Sequence, residues 1–247
     1  MSESLRKAML ILDMLRDSTE DVSARELAAR LDVPKSTVQR LLQSLEEFQM
    51  AVQDTRSRKY HLGPRTLSLG IAYRRRLDLR NTALPHMRAL RDEVGETVGL
   101  SIAVGSERMF IEEIASQAEL RVHSELGFPY PLWMGAPGRV LLAEREPAER
   151  EQALAGAAAS TTRTHAPTAA ELHQQLDAVR AAGYARAFDE TLAAVSALAA
   201  PVRDASGQVV AALSVSAPSA RMDTATMESV LPRLRSTAAD IGRALGC

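Results

Sequence analysis

Lys35, Ser36, Thr37, Gln39 and Arg40 follow closely on Pro34, and Arg56, Arg58 and Lys59 cluster a little further on. Neither group contains a carboxylate, so both are rich in hydrogen-bond donors and positive charge. Their chemistry is recognition rather than turnover. Short hydroxyls, an amide and a guanidinium at a helix start reach phosphates and base edges when that end enters a major groove. Three cations on one turn suit a phosphate backbone beside the groove. Ser36, Thr37, Gln39 and Arg40 are therefore the candidates for base-edge contacts. Arg25, Lys35, Arg56, Arg58 and Lys59 are the candidates for phosphate contacts. The competing interpretation is a solvated helical packing module with an ordinary basic turn. The polar face at the helix start, together with the basic tip, favours nucleic acid.

These side chains need elements to hold them. Ser23 with Glu26 three residues on is a capping box, which starts a helix by satisfying its free N–H groups. Leu27, Ala28 and Leu31 give that helix an apolar face, and Asp32-Val33-Pro34 ends it. Pro34 lies near the first position of the next helix, where its missing N–H costs little. Val38, Leu41, Leu42, Leu45 and Phe48 then recur at helical spacing and form a core stripe. Residues 51–53 and 60–62 read as short strands around the basic turn. A first helix over 4–17, with Leu5, Ala8, Met9, Leu12 and Leu15 on one face, completes a three-helix core. Residues 1–64 thus read as a winged helix-turn-helix. Gly63-Pro64 punctuates the chain, and 65–78 reads as a linker helix carrying Arg74, Arg75 and Arg76.

From residue 79 the pattern changes to that of an α+β domain over 79–247. Helical patterns cover 79–94, 138–145, 147–154, 169–182 and 223–245, the last kinked or split by Pro232. Residues 98–104, 109–115, 120–123, 184–188, 195–202 and 209–216 are strand-like. Residues 155–168 read as an exposed loop.

The chain has 247 residues and a net charge of −1, long enough for two domains. The charge is uneven: residues 1–76 hold 14 Lys and Arg against 10 Asp and Glu, which places the basic half where the helix-turn-helix is. No apolar run approaches a membrane span, and the start of the chain has no signal-peptide layout. The one cysteine, Cys247, allows no intrachain disulfide, and a reducing cytoplasm is expected. No nucleophile elbow, phosphate loop or metal-spaced cluster is present, and His61, His86, His123, His165 and His173 are scattered. Binding is expected rather than catalysis, with no cofactor and no metal.

Several stretches together resemble the IclR family of bacterial transcriptional regulators over nearly the whole chain. They are Val33-Pro34-Lys35-Ser36-Thr37-Val38-Gln39-Arg40-Leu41-Leu42, Lys59-Tyr60-His61-Leu62-Gly63-Pro64, Gly127-Phe128-Pro129-Tyr130-Pro131-Leu132 and Gly138-Arg139-Val140-Leu141-Leu142-Ala143. Ala182-Gly183-Tyr184, Ala199-Ala200-Pro201-Val202 and 209–218 with Arg221 follow in order. The resemblance implies a GAF-like effector domain after the winged helix. It also implies homodimers or homotetramers on a palindromic double-stranded operator, and a small organic acid or aromatic effector.

By the same resemblance, the effector residues are Leu132, Trp133, Gly135, Ala136, Pro137, Val140, Ala187, Asp189 and Ala197. Several depart from the family's pattern. Trp133 stands where a histidine is common, and Pro137 lacks an N–H that would cradle a carboxylate. Ala187 and Ala197 replace an aspartate and a cysteine found in members that bind small keto acids, and Ala194 replaces a glycine. Burying a polar ligand group without a partner costs ~1–3 kcal/mol, so a larger, flatter acid is expected beside Trp133. The alternative for Trp133 is a core aromatic, and for Asp189-Glu190 a solvated acidic pair. The expected function is a ligand-responsive transcriptional regulator, with repression the expected sign. A constitutive DNA-binding protein, or an enzyme acting on a small metabolite, is the alternative.

Overall fold

In the computed structural model, which describes residues 2–159 and 167–246, the chain forms two units, Met1–Arg76 and Leu77–Cys247. The first holds helices α1 (Glu3–Asp17), α2 (Ala24–Leu31) and α3 (Lys35–Glu47), strands β1 (Ala51–Gln53) and β2 (Tyr60–Leu62), and helix α4 (Pro64–Arg75). The capping box forms: Glu26 N–H donates to Ser23 Oγ at 3.2 Å and Ser23 N–H to Glu26 Oε2 at 2.7 Å. Asp32 ends α2 in the left-handed region at φ 52°, so the chain reverses within one residue before Pro34, the N-cap of α3. Ile11, Leu12, Leu15, Leu27, Val38, Leu42 and Leu45 form the core with Tyr60 and Val22. Val22 also exchanges backbone hydrogen bonds with Tyr60, at 2.9 and 2.8 Å, adding a bridge to the hairpin.

Two details differ from the periodicity. Leu5 and Met9 are 58% and 51% exposed, and the inward face of α1 is Ile11, Leu12 and Leu15. Phe48 is exposed because α3 ends at Glu47 and the chain turns away through Gln49, at φ 57°. Gly63 then passes so close to Gln49 that an added Cβ would stand 2.2 Å from its carbonyl oxygen.

In the second unit a six-stranded antiparallel sheet runs in the order β5-β4-β3-β8-β7-β6. Its strands are β3 (Thr97–Val104), β4 (Glu107–Ile114), β5 (Pro129–Pro131), β6 (Ala185–Phe188), β7 (Val195–Arg203) and β8 (Val209–Pro218). Strand alternation separates two cores. Leu198, Ala200, Val202, Leu213 and Val215 pack with α5 (Asp78–Val94) and α9 (Thr224–Leu245). Ala185, Ala187, Ala199 and Ala212 pack with α6 (Gly135–Ala143) and α8 (Ala169–Ala182). These small residues let α6 lie close to the sheet. A bulge between β3 and β4 pairs Leu100 with Glu112 and Ser101 with Phe110, leaving Ile111 extra. Such an insertion changes which residues share a face, so Arg108 and Phe110 face the α6 side while Ile111 joins the α5/α9 core.

Residues 120–123 form no strand. The carbonyls of Leu120 and Val122 accept instead from the Arg221 guanidinium and the Thr97 hydroxyl, both at 2.9 Å. The edge position is taken by β5, whose two prolines suit an edge because they cannot donate to a ladder. Helix α6 begins at Gly135, three residues before the expected start. Helix α7 (Pro147–Ala159) takes the first part of the expected 155–168 loop, and 160–166 lie outside the described residues. Helix α9 runs through Pro232 without splitting; Pro232 is exposed. No helix among the described residues is long and apolar enough to cross a membrane.

Candidate nucleic-acid interface and candidate effector cavity

The start of α3 is built for an outside partner. Lys35, Ser36, Gln39 and Arg40 are exposed while Val38, Leu41 and Leu42 are buried beneath them. Thr37 is half-buried, its N–H turned back to Pro34 O at 2.9 Å. Helices α1, α2, α5 and α8 each carry an acidic residue in the first turn, which offsets the positive end of the helix dipole. Helix α3 carries none. Its free N–H groups and Lys35 therefore present an uncompensated positive end, the arrangement that receives phosphate.

The wing is a turn organised by one carboxylate. Asp54 Oδ1 accepts from Ser57 N–H at 2.6 Å and Arg56 N–H at 3.1 Å. These bonds hold its carboxyl below the usual aspartate value. Arg58 takes φ 60°, and its carbonyl accepts from Gln53 Nε2 at 3.0 Å. Arg56 and Arg58 are exposed and Lys59 half-buried. Among the described residues, Arg25, Lys35, Arg40, Arg56 and Arg58 form no salt bridge, so each guanidinium or ammonium is available to a ligand.

In the second unit the chemistry gathers on the α6 side of the sheet, around a cavity of about 40 Å³. Its lining includes Arg108 and Phe110 of β4, Tyr130 of β5, Pro137 of α6, Ala187 of β6, Ala197 of β7 and Ser216 of β8. Val122, His123 and Ser124 close one side, and Glu190, Thr191, Leu192 and Val195 another. Three of the nine expected effector residues, Pro137, Ala187 and Ala197, line it. Leu132, Trp133, Ala136 and Val140 instead belong to the core between α6, α8 and the sheet, and Trp133 is 7% exposed. The indole is thus packed in that core, outside the lining of the cavity. Gly135, at φ 74°, lies above Arg108: an added Cβ would stand 3.5 Å from Arg108 Nη2 and 2.7 Å from Thr191 Oγ1. Asp189 is exposed and accepts from Ser219 Oγ at 3.0 Å.

Arg108 was not among the expected residues. It is 1% exposed, over the rings of Phe110 and Tyr130 at 5.0 and 4.7 Å from their centroids. Its Nε reaches Met134 O at 3.4 Å, and its Nη1 has no hydrogen-bond partner. Burial pulls its pKa down to about 10, opposed by the Tyr130 phenol. It stays cationic at neutral pH, yet its charge is poorly compensated. The sequence signal was slight: Arg108 shares strand phase with Phe110, which is legible only once β4 is known to be covered.

The other charges nearby are matched. Arg139 donates to both carboxylate oxygens of Glu190, at 2.5 and 2.8 Å, and to Arg186 O at 2.5 Å. Gly135 N–H also donates to Glu190, at 3.2 Å. Glu113 meets His123 Nδ1 at 2.6 Å and Ser124 N–H at 2.5 Å. No cluster of metal-ligating residues occurs among the described residues.

Comparison with known proteins places both units. Residues 4–55 match the family described as the IclR helix-turn-helix domain, and residues 71–243 match the bacterial transcriptional regulator IclR C-terminal family. The chain is 34% identical over 245 residues to the HTH-type transcriptional regulator KdgR of Escherichia coli K12, covering 98% of this chain and 92% of that protein. It is 30% identical over 249 residues to the HTH-type transcriptional repressor AllR of the same strain, covering 99% and 91%. Among solved structures, an IclR transcriptional regulator from Alicyclobacillus acidocaldarius matches over 100% of both chains, with 25% identity and a TM-score of 0.82.

Proposed function

The chain belongs to the IclR family of transcriptional regulators and is a DNA-binding regulator, and from that premise we propose that it is an effector-controlled repressor. Two copies bind a palindromic operator in the cytoplasm, and a small organic acid held in the second unit changes that binding. The observation that carries the DNA half is the start of α3, a polar, cationic helix end with no acidic residue in its first turn. The sign follows the named activity of the AllR relative. Pairing of copies is supported by α4, where Leu67, Leu69, Ile71 and Tyr73 are all exposed.

The cavity supports the effector half. Its walls are mostly apolar, with the Phe110 and Tyr130 rings edge to face at 6.1 Å. Flat acids suit such walls. At about 40 Å³ the space is well below the ~300–1,000 Å³ usual for ligand sites. A ring-sized acid would therefore have to displace the exposed Leu192 on the 189–194 turn.

The test of the DNA half is Arg40→Ala against an operator obtained by selection from random DNA. Loss of specific binding, with binding to random DNA little changed, is the expected result. Equal losses on both would remove Arg40 from base recognition.

A further inference from the structure

We propose that Arg108 reads the effector's charge: its Nη1 takes the carboxylate of an organic acid inside the cavity, beside the Phe110 and Tyr130 rings. This rests on the reading of the cavity as the effector site and assigns the group within it that selects the ligand. The resemblance points elsewhere, to backbone N–H groups at the start of α6. That end is partly engaged. Gly135 N–H donates to Glu190, Pro137 has no N–H, and the Glu190 carboxylate itself supplies the negative charge a helix start favours. A second anion there would meet Glu190.

Arg108 is the opposite case. It lies 1% exposed with Nη1 unpartnered and lines the same cavity as Ala187 and Ala197. Nearby acids are committed elsewhere: Glu190 to Arg139, Glu113 to His123 and Ser124. Two aromatic faces attract the guanidinium but accept no hydrogen bond along its plane. A carboxylate supplies that acceptor and the opposite charge together. Gly135 stands over this place: a Cβ there would press on Thr191 Oγ1 at 2.7 Å and touch Arg108 Nη2 at 3.5 Å. The positive charge of Arg108 thus replaces the polar groups lost at Ala187 and Ala197, and changes the ligand's anchor from the helix to the sheet.

The experiment uses the full chain and follows its thermal unfolding in acetate and benzoate, against acetamide and benzamide, at constant ionic strength. Wild type should be stabilised by the carboxylates and not by the amides. Arg108→Met should melt higher than wild type without additives, because it removes an unpartnered buried charge, and should bind carboxylates roughly 10- to 100-fold more weakly. Arg108→Gln serves if the Met variant folds poorly, with the same loss of response expected. A variant that keeps the full carboxylate response overturns the proposal, and so does a wild type that answers acids and amides alike or neither. Operator binding on the same samples separates the two levels. An acid that alters operator affinity equally in wild type and Arg108→Met removes only Arg108. Acids that stabilise wild type through Arg108 without altering operator affinity remove the regulatory reading instead.

Discussion

Glu190 grips Arg139 at two points, 2.5 and 2.8 Å, and accepts Gly135 N–H with the same carboxylate. One residue of the β6–β7 turn thereby fixes the start of α6 over the cavity. The pair is asymmetric: the Arg139 side chain is 6% exposed and the Glu190 side chain 34%. Glu190→Gln should therefore cost more than Arg139→Leu, because it strands the more buried charge. About 2 kcal/mol is expected for Glu190→Gln, below the ~3–5 kcal/mol for breaking a fully buried pair. Urea denaturation of the two variants checks the order, and a costlier Arg139→Leu would contradict it.

Asp54 separates charge from shape at the wing. Removing a carboxylate beside cations should on electrostatics alone strengthen DNA binding. Asp54→Asn keeps an acceptor for Ser57 and Arg56 N–H, so it should bind operator at least as well as wild type. Asp54→Ala loses the acceptor and should bind less well. The wing's stabilisation also has a pH sign. The folded carboxyl titrates below its ordinary 3.8, so its contribution is complete above that value and lost as pH falls through the lower folded one. Operator anisotropy for both variants is the check, and equal gains would make the turn irrelevant.

Arg58 sits at φ 60°, a conformation that glycine adopts without the Cβ penalty. Arg58→Gly should therefore remove the charge while keeping the turn. It should weaken specific and random DNA alike and reduce the salt slope by about 1. Arg58→Ala should lose the same charge but keep the Cβ strain that glycine relieves, so it should be less stable than Arg58→Gly with a similar salt slope. Titrations at several salt concentrations measure the slope, and thermal unfolding separates the two variants. A sequence-dependent loss in Arg58→Gly would mean the wing reads bases.

Gly63 is required by contact rather than by backbone angle. A Cβ there would lie 2.2 Å from Gln49 O, against backbone that cannot yield without moving the α3–β1 turn. Gly63→Ala should destabilise the first unit by more than ~2 kcal/mol. Chemical denaturation measures this, and a neutral result would show that the turn shifts freely.

Legibility in the sequence followed locality. Ser23 and Glu26 meet within one turn, so the capping box was readable, as were the stripe of α3 and the basic turn. Leu5 and Met9 were not, because helical spacing admits two neighbouring faces and only packing buries Ile11 instead. Leu120 to His123 have strand-like residues, but Thr97 and Arg221, distant in sequence, satisfy two of their carbonyls. The placements of Trp133 and Arg108 were illegible for one shared reason. Which of them meets the cavity depends on where α6 begins and on what covers β4, neither of which the residues beside them encode.

Effector control requires coupling between the cavity and the α3 start. The direct measurement is operator affinity by fluorescence anisotropy, with and without those organic acids that raise the melting temperature of the protein. A shift of ~5- to 150-fold is predicted, the range of ordinary allosteric coupling. An acid shown to bind the protein, yet leaving operator affinity unchanged, would contradict the account.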